Sequence, residues 1–151
     1  MSSSSAHDSP YTFEDLDATV TEGSVPHYGG LFIREAKRII LGSSDEYTLV
    51  HETGHAVYDM IPEESTVRQV FNRTYEEELA VYKAGGGKVP GIGMQVHEVV
   101  PVYCTHSVFE MFAECYVLMI KGGSRSDKII NTHFPGCLKQ ATVVLKYARE
   151  I

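Results

Sequence analysis

The sequence is poor in cysteine, in cationic residues near its start and in long apolar runs. It has three cysteines, Cys104, Cys115 and Cys137, in 151 residues. They are odd in number, widely spaced and free of any Cys-x-x-Cys pair. That argues against a structural zinc knot or a disulfide framework and predicts buried thiols. No Lys or Arg precedes Arg34, whereas Asp8, Glu14, Asp15, Asp17 and Glu22 do. No apolar run approaches the roughly 18 residues that cross a membrane, so no membrane span is expected. The formal net charge of −7 argues against a nucleic-acid partner or an anionic membrane. It would tolerate or steer in a cationic substrate. No repeat occurs, and no basic stretch followed by an apolar one opens the chain, so a signal peptide is not expected.

The length fits one domain. Residues 1–28 read as an acidic, partly disordered segment, with residues 29–151 as the folded domain. Leu31 to Ile33 and Arg38 to Leu41 are short Ile-rich runs that predict two strands, paired as a hairpin. Ser43 to Glu46 reads as a capping box, and a helix is predicted from about Asp45 to Met60, stopping before Pro62. A second helix is predicted after Ser65. Its apolar positions are Val67, Val70, Phe71, Leu79 and Val81, and Gly85 to Gly87 end it. "KVPGIGM" reads as a loop, followed by a short strand at Gln95 to Val99. Ser107 opens a further helix closed by Gly122-Gly123, and a last helix begins near Phe134-Pro135. Strands followed mostly by helices predict an α+β class, with a small N-terminal sheet packed on the first helix and a helical C-terminal half.

That first helix carries "HETGH", His51 to His55. Residues four apart share a helix face, so His51 and His55 can present two imidazoles to one zinc ion. Glu52 cannot join His51 on the same ion but can take a proton from a water there. Leu49, Val50, Ala56 and Val57 frame the motif with apolar residues. Gly54 inside a helix costs about 1 kcal/mol against Ala, so a close approach of another backbone or of substrate should require it. A catalytic zinc needs a third protein ligand. The candidates are Asp59, Glu76 to Glu78, His97, His106, Glu110 and Glu114. Glu76 to Glu78 read as a solvated charge run. Glu110 and Glu114 share one face of a strongly apolar helix, where a carboxylate pair is costly unless a metal and a histidine satisfy it. Ser107 to Glu110 also reads as a capping box, which would turn Glu110 back on its own backbone and favour Glu114 as ligand. Asp59, four residues past His55, is expected either to accept a hydrogen bond from a ligating histidine or to sit in water. Cys104 with His106 is poor support for a thiol nucleophile.

"HETGHAVYD", followed 55 residues after His55 by "EMFAECYVLM", resembles the catalytic domain of the anthrax lethal factor and Pro-Pro endopeptidase family. These are zinc metallopeptidases of the gluzincin type. The resemblance covers roughly Leu31 to the C-terminus, apart from a Gly/Pro-rich loop between the motifs. It implies Glu110 as third ligand, with Glu114 orienting a ligating histidine one turn on. It also implies a tyrosine seven residues before the ligand glutamate, Tyr103, to stabilise the oxyanion or the leaving amine. The expected function is zinc-dependent endopeptidase activity, with residues 29–151 as the catalytic domain and one Zn2+ as the cofactor. The expected partner is an extended peptide or protein substrate, basic or proline-containing, taken by a monomer. The alternatives are a zinc hydrolase acting on a small molecule or modified peptide, and an inactive peptide-binding module of the same fold. The resemblance favours a secreted or delivered effector; a cytoplasmic location is the other expectation.

Overall fold

The computed structural model describes residues 46–151 throughout and, before them, only the backbone of three four-residue strands. These are β1 (Thr19–Glu22), β2 (Gly30–Ile33) and β3 (Arg38–Leu41). β3 pairs parallel to β1 and antiparallel to β2, with Ile39 opposite Val20 and Phe32. β3 is therefore flanked on both sides rather than offering an edge. Apart from β1, residues 1–28 lie outside the described residues, as does the expected capping box from Ser43 to Asp45.

The expected α+β class is overturned. From Glu46 onward, 75% of the residues are helical and none is in a strand. Helices carry nearly all of the described core, with Ile61 and Phe134 added from the links between them, and the short strands are too small a share of the chain to set its class. The strand expected at Gln95 to Val99 is instead a helical turn, α3 (Val96–Val99), running into a 3-10 helix at Val100–Thr105. The valines there look strand-like. However, the Gln95 N–H donates to the Glu98 carboxylate at 2.8 Å, and that local cap starts a turn of helix.

The HETGH helix, α1, spans Glu46–Asp59. Its C-terminal end is closed by buried Arg68, which donates to the Ile61 carbonyl at 2.6 Å and lies 4.7 Å from the Tyr58 ring centroid. A cation there satisfies orphan carbonyls and complements the helix dipole. Arg68 belongs to α2 (Thr66–Ala84), which is capped by Ser65 and turns Phe71, Tyr75 and Tyr82 inward. Val81, expected on that face, is 75% exposed. The stripe of aromatics decides which face is buried, because each offers more apolar area than a valine.

α4 (Val108–Lys121) starts at Ser107 and ends at Gly122, whose φ of 80° suits a residue without Cβ. Two further helices complete the chain, α5 (Asp127–His133) and α6 (Pro135–Glu150). Tyr58, Phe71 and Phe112 form an aromatic cluster where α1, α2 and α4 meet. Removing a ring such as Phe112, which is wholly buried, costs about 3–5 kcal/mol. The half-exposed ion pair between Glu46 of α1 and Lys121 of α4 contributes at most about 1 kcal/mol. Packing, not surface pairing, therefore holds α1 to α4. Their contact is close at Gly54, where a Cβ would lie 3.0 Å from Tyr116 Cβ and 3.1 Å from Ala113 Cα. The approach of another backbone is what requires this glycine. No helix among the described residues is long and apolar enough to cross a membrane.

Candidate metal centre

The α1–α4 crossing brings the two sequence motifs together. His51 and His55 project from α1, with ring centroids 4.9 Å apart. Glu110 projects from the first turn of α4 between them. Its Oε1 lies 3.0 Å from His51 Nε2 and its Oε2 lies 3.2 Å from His55 Nε2. One ligand atom from each of the three residues falls within 4.8 Å of the other two, so the group could hold a metal ion.

Glu110 and Glu114 differ in position. Ser107 Oγ accepts the Glu110 backbone N–H at 3.2 Å, so the N-cap forms. The Glu110 carboxylate nevertheless faces the two histidines. Glu114, one turn further along α4, meets the opposite nitrogen of His51, with Nδ1 to Oε2 at 2.6 Å. The far side of Glu114 is held by Tyr47, whose hydroxyl donates to Oε1. Tyr47 in turn accepts the backbone N–H of Arg125 at 2.8 Å. A carboxylate pair on an apolar helix is thus satisfied by one imidazole, one phenol and the shared cluster.

The electrostatics follow from this arrangement. Burial pushes His51 down, but carboxylates on both ring nitrogens outweigh it and hold its pKa well above the ordinary value. Burial pushes Glu110 up, yet His55 and His51 bring it well below the carboxylate range. Glu114 is lowered against burial by hydrogen bonds from His51 and Tyr47. Glu52 behaves differently. Burial raises its pKa, and the two histidines only partly oppose this. Its Oε1 is buried and has no hydrogen-bond partner.

This donor set fits a catalytic zinc site. Two imidazoles and a carboxylate are one of the three-ligand sets that such sites use, with a fourth position left for water or substrate. An orphaned carboxylate oxygen beside them fits a group that waits for a water proton.

The other expected residues divide. Tyr103, half-buried in the 3-10 helix, lines the same cleft as His51 and Glu114, and its ring stacks on His106 at 5.2 Å. Asp59 is the last residue of α1, outside the three-residue cluster. Glu76 and Glu77 are exposed, as the charge run predicted. Glu78 is not part of that solvated face: its carboxylate accepts the N–H groups of Gly136 and Cys137 at 2.8 and 2.9 Å, capping α6. His97 and His106 are exposed. Cys104 is buried and its thiol is pushed up to about 12 by burial, which suits packing rather than nucleophilic attack. Tyr47 was missed by the sequence reading, although it stands four residues before His51 on the same helix face. No protein-family model matches the chain, and no curated protein matches it either.

Proposed function

We propose that the chain is a zinc-dependent endopeptidase. The observation that carries this reading is the convergence of His51, His55 and Glu110 beside a buried Glu52 with an unpartnered carboxylate oxygen. The likeness of "HETGH", Tyr103 and "EMFAE" to the lethal factor and Pro-Pro endopeptidase family supports the same chemistry. His51, His55 and Glu110 would hold the ion. Zinc bound by them supplies a Lewis acid that lowers the pKa of water toward about 7 and polarises a carbonyl.

The remaining work belongs to the chain's own groups. Glu52 takes the proton as water oxygen bonds to the scissile carbonyl carbon. It returns that proton to the leaving nitrogen as the C–N bond breaks, so it ends as it began. Burial, which raises its pKa in the metal-free chain, makes it a stronger base than a solvated carboxylate. Glu114 accepts from His51 Nδ1–H and so leaves the Nε2 lone pair directed at the cluster. Tyr103, from its place in the cleft, would donate its phenolic hydrogen bond to the developing oxyanion. A single experiment tests the reading: digestion of a diverse peptide library by the zinc-loaded protein, with Glu52→Gln as control. Glu52→Gln should retain about one zinc per chain and lose hydrolysis. Cleavage by Glu52→Gln at the wild-type rate, or no cleavage by the wild type, would overturn it.

A further inference from the structure

Arg125 lines the cleft together with His51, Glu114, Tyr47 and Tyr103. Resting on the peptidase reading, we propose that Arg125 is a specificity residue that binds a substrate carboxylate in this cleft.

The head group of Arg125 lies against a side chain that leads, through Glu114, to His51. The guanidinium carbon stands 4.1 Å from the centroid of the Tyr47 ring. That ring is anchored at its hydroxyl by Glu114 and by the backbone N–H of Arg125. Glu114 holds His51. One stacked ring therefore separates the cation from the carboxylate that orients a metal ligand. Stacking on a clamped ring restricts the guanidinium before any substrate arrives, so less freedom is lost on binding.

The charge is also uncommitted. Among the described residues Lys121 is paired with Glu46, and Arg68 is buried on backbone carbonyls, whereas Arg125 forms no ion pair. The guanidinium carbon lies over the Tyr47 ring, and a cation held there can still offer N–H groups to an acceptor. A planar fork matches a carboxylate with two parallel hydrogen bonds. The chain as a whole carries −7, which opposes anions at long range. That field is screened beyond about 8 Å at physiological salt, so contact with Arg125 governs selection at the cleft. The carboxylate can come from an Asp or Glu side chain or from a free peptide C-terminus.

Fluorescence anisotropy on full-length, zinc-loaded Glu52→Gln protein tests this. The probes are labelled peptide pools with Glu or Gln fixed at one position, and pools ending in a free acid or an amide. Because Arg125 is exposed, the acidic member of a pair should bind roughly three- to fivefold tighter than its neutral twin. The pair that shows the difference identifies the source of the carboxylate. Arg125→Gln should abolish the preference, Arg125→Glu should invert it, and Arg125→Lys should keep part of it. Equal binding of both members, no binding of any pool, or a preference that survives Arg125→Gln would overturn the proposal. Hydrolysis is scored separately with the wild type. Cleavage without a carboxylate preference removes the role of Arg125 alone. A carboxylate preference without cleavage removes the peptidase reading and leaves Arg125 as a carboxylate-binding residue.

Discussion

His51 Nδ1 lies 2.6 Å from Glu114 Oε2, which commits the other ring nitrogen of His51 to the side where His55 and Glu110 converge. Glu114 is itself tied to Tyr47, so the imidazole is oriented by a chain of two side chains, one buried and one half-buried, rather than by one. Partners of this kind tune a metal site without touching the ion, and their loss costs about 10- to 100-fold in affinity. Glu114→Gln keeps an acceptor for the imidazole N–H and should fall near the lower end. Glu114→Ala should fall near the upper end and still load about one zinc at saturation. Glu110→Gln should weaken zinc more than either. Competition with a chelator of known affinity measures all three. Unchanged affinity in Glu114→Ala would reduce this carboxylate to a packing role.

Gly54 links the fold to the site, because it sets the distance between the helix of the histidines and the helix of the glutamates. A Cβ there would meet Tyr116 Cβ at 3.0 Å and the Ala113 backbone at 3.1 Å. Backbone cannot give way as a side-chain tip can. Ala gains about 1 kcal/mol in helix propensity, while overpacking costs about 1–3 kcal/mol. Gly54→Ala should therefore lower stability by up to about 2 kcal/mol, a drop of several degrees in Tm for a chain of this size. It should also weaken zinc, since prying α1 from α4 separates His51 from Glu110. Tm and zinc affinity measured on one preparation decide the matter; a more stable variant with intact zinc binding would show that the helices do not need this approach.

How much of this was legible in the sequence depends on whether the signal was local. His51 and His55 are four apart on one helix, so their shared face follows from periodicity. Glu110 and Glu114 stood out because charge is costly in the apolar frame of Met111, Phe112 and Ala113. Their ranking needed the crossing of two helices, since the Ser107 cap is compatible with either ligand. Arg125 left no trace, because it follows Gly122-Gly123 outside any periodic stretch and reaches Tyr47 across 78 residues. The strand expected at Gln95 to Val99 failed for the opposite reason. A valine-rich run suggested period two, but a local cap from Glu98 to Gln95 decided for helix.

Glu78 gives a prediction about the fold alone. Its carboxylate accepts two N–H groups at the start of α6, where Pro135 leaves no donor of its own. A negative charge there satisfies orphan donors and meets the positive end of the helix dipole. Glu78→Ala strands both N–H groups and should cost about 1–2 kcal/mol, by analogy with other lost N-terminal caps. Zinc affinity should not change, because α6 supplies no ligand. Thermal denaturation and zinc titration of the same variant separate the two effects. A loss of zinc without a loss of stability would contradict this assignment.

The charges of the cluster set how stability depends on pH, with opposite signs on the two sides. Glu110 and Glu114 have lowered pKa values in the folded chain. Their contribution is present above the ordinary carboxylate value of 4.5 and is lost as pH falls through the lowered folded values. His51 has a raised value, so its contribution is complete below the ordinary 6.5 and is lost as pH rises through the folded pKa above it. For the metal-free protein the cluster should therefore stabilise most between pH 4.5 and 6.5. On the zinc reading, the metal should reverse the alkaline side. It binds deprotonated imidazoles and releases protons, so its stabilising increment should grow as pH rises from about 6 to about 8. Melting curves in chelator and in excess zinc, taken across this range, give both trends, and Glu114→Ala should flatten the metal-free one. A zinc increment that shrinks toward alkaline pH, before hydroxide precipitates the metal, would mean that these imidazoles are not the ligands.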